Sequence, residues 1–365
     1  MVFLLPQVTA RRGRVQAFSA VTHPVDRSHT IDYIRPSRRP RHGTRAGNAT
    51  GELGVGGSAG KREIMEESKL EGIVTCGHGN RFTVFAGNVP YSCTLRKRIK
   101  FSTDMTTPVA VGDDVLIAVM GDRSGVIEEV RPRRTVLSRP MIGREDSEQV
   151  LAANIDFLVA VVSVAEPTLK PGLIDRFLVM AAVGGLTPVI VVNKADLASH
   201  RMVVDIVRIY RGLGYRLLLT SAVDGQGLEE FRDYLKDHRS ILSGHSGVGK
   251  SSLLNRLWPG LNLRTSTISQ ATGKGRHTTS YVELFHLPDG GFVIDTPGIK
   301  VLGLWQLDRN NLADHYPEMQ ELTAQCRFTN CSHLHEPDCA VKSAVAAGSV
   351  TSLRYQNYCQ IYDSL

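Results

Sequence analysis

Residues 244–251 read GHSGVGKS, which satisfies the pattern G-x-x-x-x-G-K-[ST]. Gly244, Gly247 and Gly249 let the backbone curl so that the N–H groups from Gly244 to Ser252 turn inward around phosphate oxygens. His245, Ser246, Val248 and Ser252 complete this loop, and the side chain of His245 is given no role. Lys250 is placed to reach β- and γ-phosphates, and Ser251 offers a hydroxyl to Mg²⁺. A helix starting at Lys250 points its positive end at the same anion. Residues 193–196 read NKAD at the end of an apolar run. In that loop, beside Lys194, Asn193 and Asp196 can hydrogen-bond the edge of guanine, whose ring N–H and amine suit a carboxylate. Adenine has no such donor pair. Ser221 and Ala222, at another strand exit, back the base from the other side.

Two further stretches belong to the same chemistry. In DTPG at 295–298, Asp295 would hold Mg²⁺ through water and the Gly298 amide would sense the γ-phosphate. In GKGRHTTS at 273–280, a threonine completes the Mg²⁺ shell, Thr279 being favoured over Thr278. NKAD precedes the phosphate loop, the reverse of the usual order. The cyclic order of phosphate loop, threonines, DTPG, NKAD and SA is nevertheless kept. One GTP/GDP site in a circularly permuted chain accounts for this.

A separate cluster, CRFTNCSHLHEPDC, spaces Cys326, Cys331, His333 and Cys339 as C-x₄-C-x-H-x₅-C. Three thiolates and one imidazole suit a closed structural Zn²⁺ site, with His335 as a substitute for His333. Cys76, Cys93 and Cys359 are expected as free thiols.

The elements that must position these groups follow from periodicity. From Glu71 to Arg134, five short runs separated by turn residues fit a small OB-like barrel. From about 150 onward, apolar strands alternate with helical patterns, which indicates a mostly parallel sheet covered on both faces. Beyond Leu304 the pattern is helical, with Pro317 marking a break. The expected architecture is multidomain: an N-terminal OB-fold β-barrel over 70–140, a circularly permuted P-loop GTPase α/β domain over 150–302, and a small α-helical zinc-binding domain over 303–365.

The formal net charge of +7 resides in the first 64 residues, which hold 11 Lys/Arg and 4 Asp/Glu. The remaining 301 residues hold 32 of each. Residues 1–65 show no apolar periodicity and read as a disordered Arg-rich extension. It fits a transit peptide, a nucleic-acid arm or a misassigned start before Met65. Within 71–144, 11 basic residues face 7 acidic ones, with clusters RKRIK at 96–100 and RPRR at 131–134. This excess suits an RNA surface, with Arg96, Lys97 and Arg98 as contacts. No run approaches the apolar length of a membrane span, so no membrane partner is expected. A cytoplasmic monomer is expected, or an organelle stroma or matrix protein if the extension is a transit peptide.

With these motifs in this order, residues 70–365 resemble the RsgA (YjeQ) family of small-ribosomal-subunit-dependent GTPases. The resemblance implies GTP hydrolysis stimulated by the small subunit and its rRNA during late maturation, with hydrolysis driving release. The alternative is an rRNA-binding scaffold gated by nucleotide, with incidental turnover. It also implies His333 as the fourth zinc ligand. Ile299 stands where signalling GTPases carry the glutamine that orients water. The resemblance assigns that role to His277, on a glycine-flanked loop.

Overall fold

The computed structural model describes residues 68–96, 107–141, 144–197, 200–263, 282–295 and 307–365. Five strands, β1 (Lys69–His78), β2 (Arg81–Ala86), β3 (Val89–Leu95), β4 (Asp114–Gly121) and β5 (Ser124–Val130), close into a barrel in the order β1-β2-β3-β5-β4. Val74, Val84, Cys93, Val115, Ile117 and Ile127 fill its interior, as alternation along each strand requires. A parallel pairing of β3 with β5 closes the ring.

Next comes an antiparallel ribbon, β6 (Val136–Met141) and β7 (Arg144–Ala153). It occupies a stretch that the sequence reading left without an element. Pro140 and the charged run REDSEQ hide the strand pattern. Only the base of the ribbon is apolar: Leu137 and Ala152 join the core beneath the following sheet.

That sheet has six strands in the order β10-β9-β8-β11-β13-β12. They are β8 (Phe157–Ser163), β9 (Thr187–Asn193), β10 (Arg216–Leu219), β11 (Arg239–Ser243), β12 (Leu284–His286) and β13 (Phe292–Asp295). All neighbours are parallel except β12 and β13. Helix α1 (Pro171–Gly184) starts with proline, which has no N–H to leave unsatisfied, and ends at Gly185 in the left-handed conformation. Phe177 and Met180 of α1 pack against Leu158, Ile241 and Ile294. Helix α2 (His200–Gly212) lies with α1 over Ile190 and Val192. On the other face α3 (Leu228–Leu235) and α4 (Lys250–Leu257) cover Val159, Val161, Leu242 and Val293. Among the described residues of SYVELFHL, Leu284–His286 form β12, antiparallel to its neighbour.

The C-terminal part holds a 3-10 turn (Leu312–His315) and helices α5 (Pro317–Thr323), α6 (Ala340–Ala347) and α7 (Ser352–Ser364). Pro317 begins α5. Val179 of α1 belongs to the same apolar cluster as Tyr316, Met319 and Tyr358. Arg354 of α7, 1% exposed, pairs with Asp175 of α1 at 2.5 Å and with Glu318 of α5 at 2.6 Å. Asp175 also accepts from Tyr210 Oη and Asn357 Nδ2, both at 2.6 Å. Burial pushes the Asp175 carboxyl up, and the guanidinium and these donors oppose it. Among the described residues no helix is long and apolar enough to cross a membrane.

Candidate nucleotide site and metal-ligand cluster

Strands β9, β10, β11 and β13 run parallel, so their exits after Asn193, Leu219, Ser243 and Asp295 share one rim. The chain runs from β8 through β9 to β10 on one side, then returns to β11 on the other side of β8. A reversal of this kind opens a crevice at the strand exits, where ligands bind.

Asn193 ties the motifs together. Its side chain is buried, and a buried amide needs partners. Nδ2 donates to the Val248 carbonyl of the phosphate loop at 2.8 Å, and Oδ1 accepts from Thr220 Oγ1 at 3.2 Å. The Ala195 amide donates to the Thr220 carbonyl at 3.0 Å. Sequence reasoning passed over Thr220, although it is the polar residue immediately before Ser221. Lys194 adopts a left-handed φ of 61° and donates to the Glu166 carbonyl at the exit of β8. Asp196 lies exposed on the 3-10 turn Ala195–Leu197. Ser221 is buried, and its Oγ accepts from the amides of Val223 at 3.2 Å and Asp224 at 3.3 Å, which shapes the loop that Ala222 continues.

The phosphate loop has the backbone its glycines predict. Gly247 and Gly249 have φ of 86° and 95°. A Cβ on Gly249 would lie 2.4 Å from Asn193 Nδ2, so only glycine lets the two loops meet. Val248 is buried beneath the loop, while His245, Ser246 and Ser252 are exposed and Ser251 is half-buried. Lys250 Nζ arches back to the carbonyls of Gly244 at 2.8 Å and His245 at 3.2 Å. Gly249, with its left-handed φ, is the N-cap of α4, so the positive end of that helix faces the phosphate loop. Asp295 ends β13 in register with Leu242. His277, Thr278, Thr279, Gly298 and Ile299 lie outside the described residues.

In the tail, the donor atoms of Cys326, Cys331, His333 and Cys339 lie within 4.8 Å of one another. His333 Nδ1 is 3.5 Å from the sulfurs of both Cys326 and Cys339, and those sulfurs are 3.9 Å apart. Thiolates at about 2.3 Å from a tetrahedral metal are separated by about 3.8 Å, so this spacing fits a metal. It is too wide for a disulfide, whose sulfurs lie about 2.05 Å apart. His335 is exposed and outside the group. Tyr355 and Tyr358 of α7 hold the loop backbone by donating to the carbonyls of His333 at 2.7 Å and Ser332 at 3.0 Å. Burial pushes His333 down, favouring the neutral imidazole that a metal requires. The four residues can hold one metal ion.

The basic runs are more occupied than their composition suggests. Arg96 pairs with Glu128, which also holds Lys69 at 2.7 Å. Lys97 and Arg98 lie outside the described residues. The RPRR run is not free surface charge: Arg133 makes a two-pronged pair with Asp113 at 2.7 and 2.8 Å, Arg131 pairs with Glu129 at 2.7 Å, and Arg134 pairs with Asp156 at 3.2 Å.

A P-loop joined through Asn193 to a guanine loop that comes earlier in the chain defines a circularly permuted GTPase. An OB-like barrel precedes it and a tail with a metal-ligand cluster follows. The chain belongs to the RsgA GTPase family, whose family model matches residues 130–305. It is 41% identical over 297 residues to the small ribosomal subunit biogenesis GTPase RsgA of Gemmatimonas aurantiaca, covering 80% of this chain and 97% of that protein. Against the protein of the same name from Chlorobaculum parvum it is 42% identical over 305 residues, covering 81% and 98%. Among solved structures, YjeQ from Thermotoga maritima matches with a TM-score of 0.66 at 35% identity, over 82% of this chain and 99% of that one. YloQ, described as a circularly permuted GTPase, matches with a TM-score of 0.62 at 30% identity, over 83% and 97%.

Proposed function

We propose that this chain hydrolyses GTP on the small ribosomal subunit during that subunit's biogenesis, that the subunit stimulates the reaction, and that hydrolysis drives release. The observation that carries the nucleotide part is the Asn193 bond to Val248, which makes one site of the guanine and phosphate loops. The ribosomal part rests on the names of the relatives.

The nucleotide's phosphates lie in the loop 244–252, with Lys250 on the β- and γ-phosphates. Asn193 and Asp196 read guanine, with Lys194, Ser221 and Ala222 beside the base. Ser251, Asp295 and Thr279, or Thr278 in its place, would hold Mg²⁺, which supplies charge neutralisation at the phosphates. The Gly298 amide senses the γ-phosphate, and His277 orients the attacking water that Ile299 cannot hold. The sulfur-rich ligand set of the tail favours Zn²⁺ in a structural role. Arg96, Lys97 and Arg98 contact rRNA from the barrel. The working divisions are 70–140, 150–302 and 303–365, in a monomer acting in the cytoplasm.

Single-turnover hydrolysis with and without small subunits tests this. The expected result is a large acceleration by subunits that His277→Ala removes while leaving GTP affinity unchanged. Equal rates with and without subunits would leave a nucleotide-gated scaffold as the better description.

A further inference from the structure

We infer that the β12–β13 hairpin couples the nucleotide site to the barrel, so that the barrel and not the C-terminal tail responds to the bound nucleotide. This rests on the nucleotide reading above and adds a direction of transmission to it.

The hairpin reaches the nucleotide rim through Asp295 and meets the barrel along β12, from Glu283 at the rim end to His286 near the turn. Asp295, the last residue of β13, lies beside Leu242 of the P-loop strand. Phe292, three residues earlier, is about 10 Å down the strand at 3.3 Å per residue. There it pairs with His286 of β12. Both rings meet Phe85 of barrel strand β2. His286 stacks on Phe85 with centroids 4.6 Å apart, and Phe292 meets Phe85 edge-on at 5.6 Å. Phe292 and His286 are themselves edge-to-face at 5.1 Å. Just before β12, Glu283 forms an isolated antiparallel bridge with Cys76 of barrel strand β1. The register of β1 shifts between Val74 and Cys76, next to this bridge.

The tip of the hairpin is fixed. Asp289 accepts from Arg232 Nε of α3 at 2.6 Å and from Trp258 Nε1, just beyond α4, at 2.8 Å. At Gly291, φ is 83° and a Cβ would come 2.6 Å from the His238 carbonyl. With the turn held, a displacement of β13 at the rim passes to the opposite end of β12, where Glu283 bridges to Cys76 of the barrel.

The tail is held differently. Arg354 joins it to α1 through a fully buried pair with Asp175, pairs with Glu318 of α5, and its guanidinium lies 4.4 Å from the centroid of Tyr316. Losing such a pair leaves a buried charge unpartnered, so the tail follows α1 as one body.

The test is hydrogen exchange on the full chain loaded with GDP or with a non-hydrolysable GTP analogue, alongside fluorescence titration with labelled nucleotides. The expected result is a difference of about fivefold or more between the two states at amides 72–76 and 283–286, with amides 352–361 unchanged. His286→Ala should abolish the barrel difference without altering nucleotide affinity, and His286→Phe, which keeps a ring, should restore it. Equal barrel exchange in both states with nucleotide bound overturns the inference, as does a response confined to the tail. Absence of any labelled-nucleotide signal overturns the nucleotide reading itself, and this inference with it.

Discussion

Gly249 and Asp289 show how much can rest on one residue. The Gly249→Ala change puts a methyl onto the Asn193 amide and forces an alanine into φ near 95°. Strain of about 1–3 kcal/mol translates into roughly 5- to 150-fold weaker nucleotide binding. Titration with labelled GDP measures it, and unchanged affinity would mean that the two loops need not touch. Asp289 offers a pH test. The Arg232 hydrogen bond, and then that of Trp258, hold its carboxyl below the usual aspartate range. A depressed folded value means that its contribution is complete above about 4, the unfolded value, and is lost as pH falls through the folded one. In a Trp305→Phe background, emission from Trp258 should therefore titrate with a midpoint below about 4. Asp289→Asn should remove that titration.

At the scale of elements, α1 is the common support. Its inner face packs on the sheet, Asp175 holds Arg354, and Val179 joins the tail core. Arg354→Ala strands the carboxylates of Asp175 and Glu318 and should destabilise the tail by about 3–5 kcal/mol, read from denaturant curves followed by tyrosine signals. The triple change Asp175→Asn, Glu318→Gln and Arg354→Met should recover part of that loss, because no charge of the network is then left without its partner. A single variant as stable as the parent would show that packing alone holds the tail. The ribbon β6–β7 contributes differently, through Leu137 and Ala152 at its base, which join the core beneath the sheet.

For the whole molecule, the metal-ligand group separates one part of the stability from the rest. The tail helices are short, and structural zinc supplies about 10–16 kcal/mol to isolated zinc-finger peptides. Chelation, or Cys331→Ser, should melt the order over 307–365 while nucleotide binding persists at the distant rim. Circular dichroism and nucleotide titration on the same sample check both halves of the expectation. A chelated protein with an unchanged melting profile would mean that the Tyr355 and Tyr358 hydrogen bonds and the Arg354 network hold the tail without metal.

The nucleotide loops and the ligand spacing of the cysteine cluster were legible from residue order, because each depends on a short local pattern: glycines where the backbone must curl, donors where a base or metal must bind. The alternation of strands and helices was legible for the same reason, since burial on one face imprints a period of 2 or 3.6 on the chain. Spacing alone admits both His333 and His335; the resemblance implies His333, and the folded chain brings its ring, not that of His335, among the three cysteines. The fate of the RPRR run had to come from the structure, because its partners Asp113 and Asp156 lie about twenty residues away. The aromatic junction of Phe85, His286 and Phe292 left no sequence signal. Contacts between distant segments carry no period and no fixed spacing, so only the folded chain could decide them.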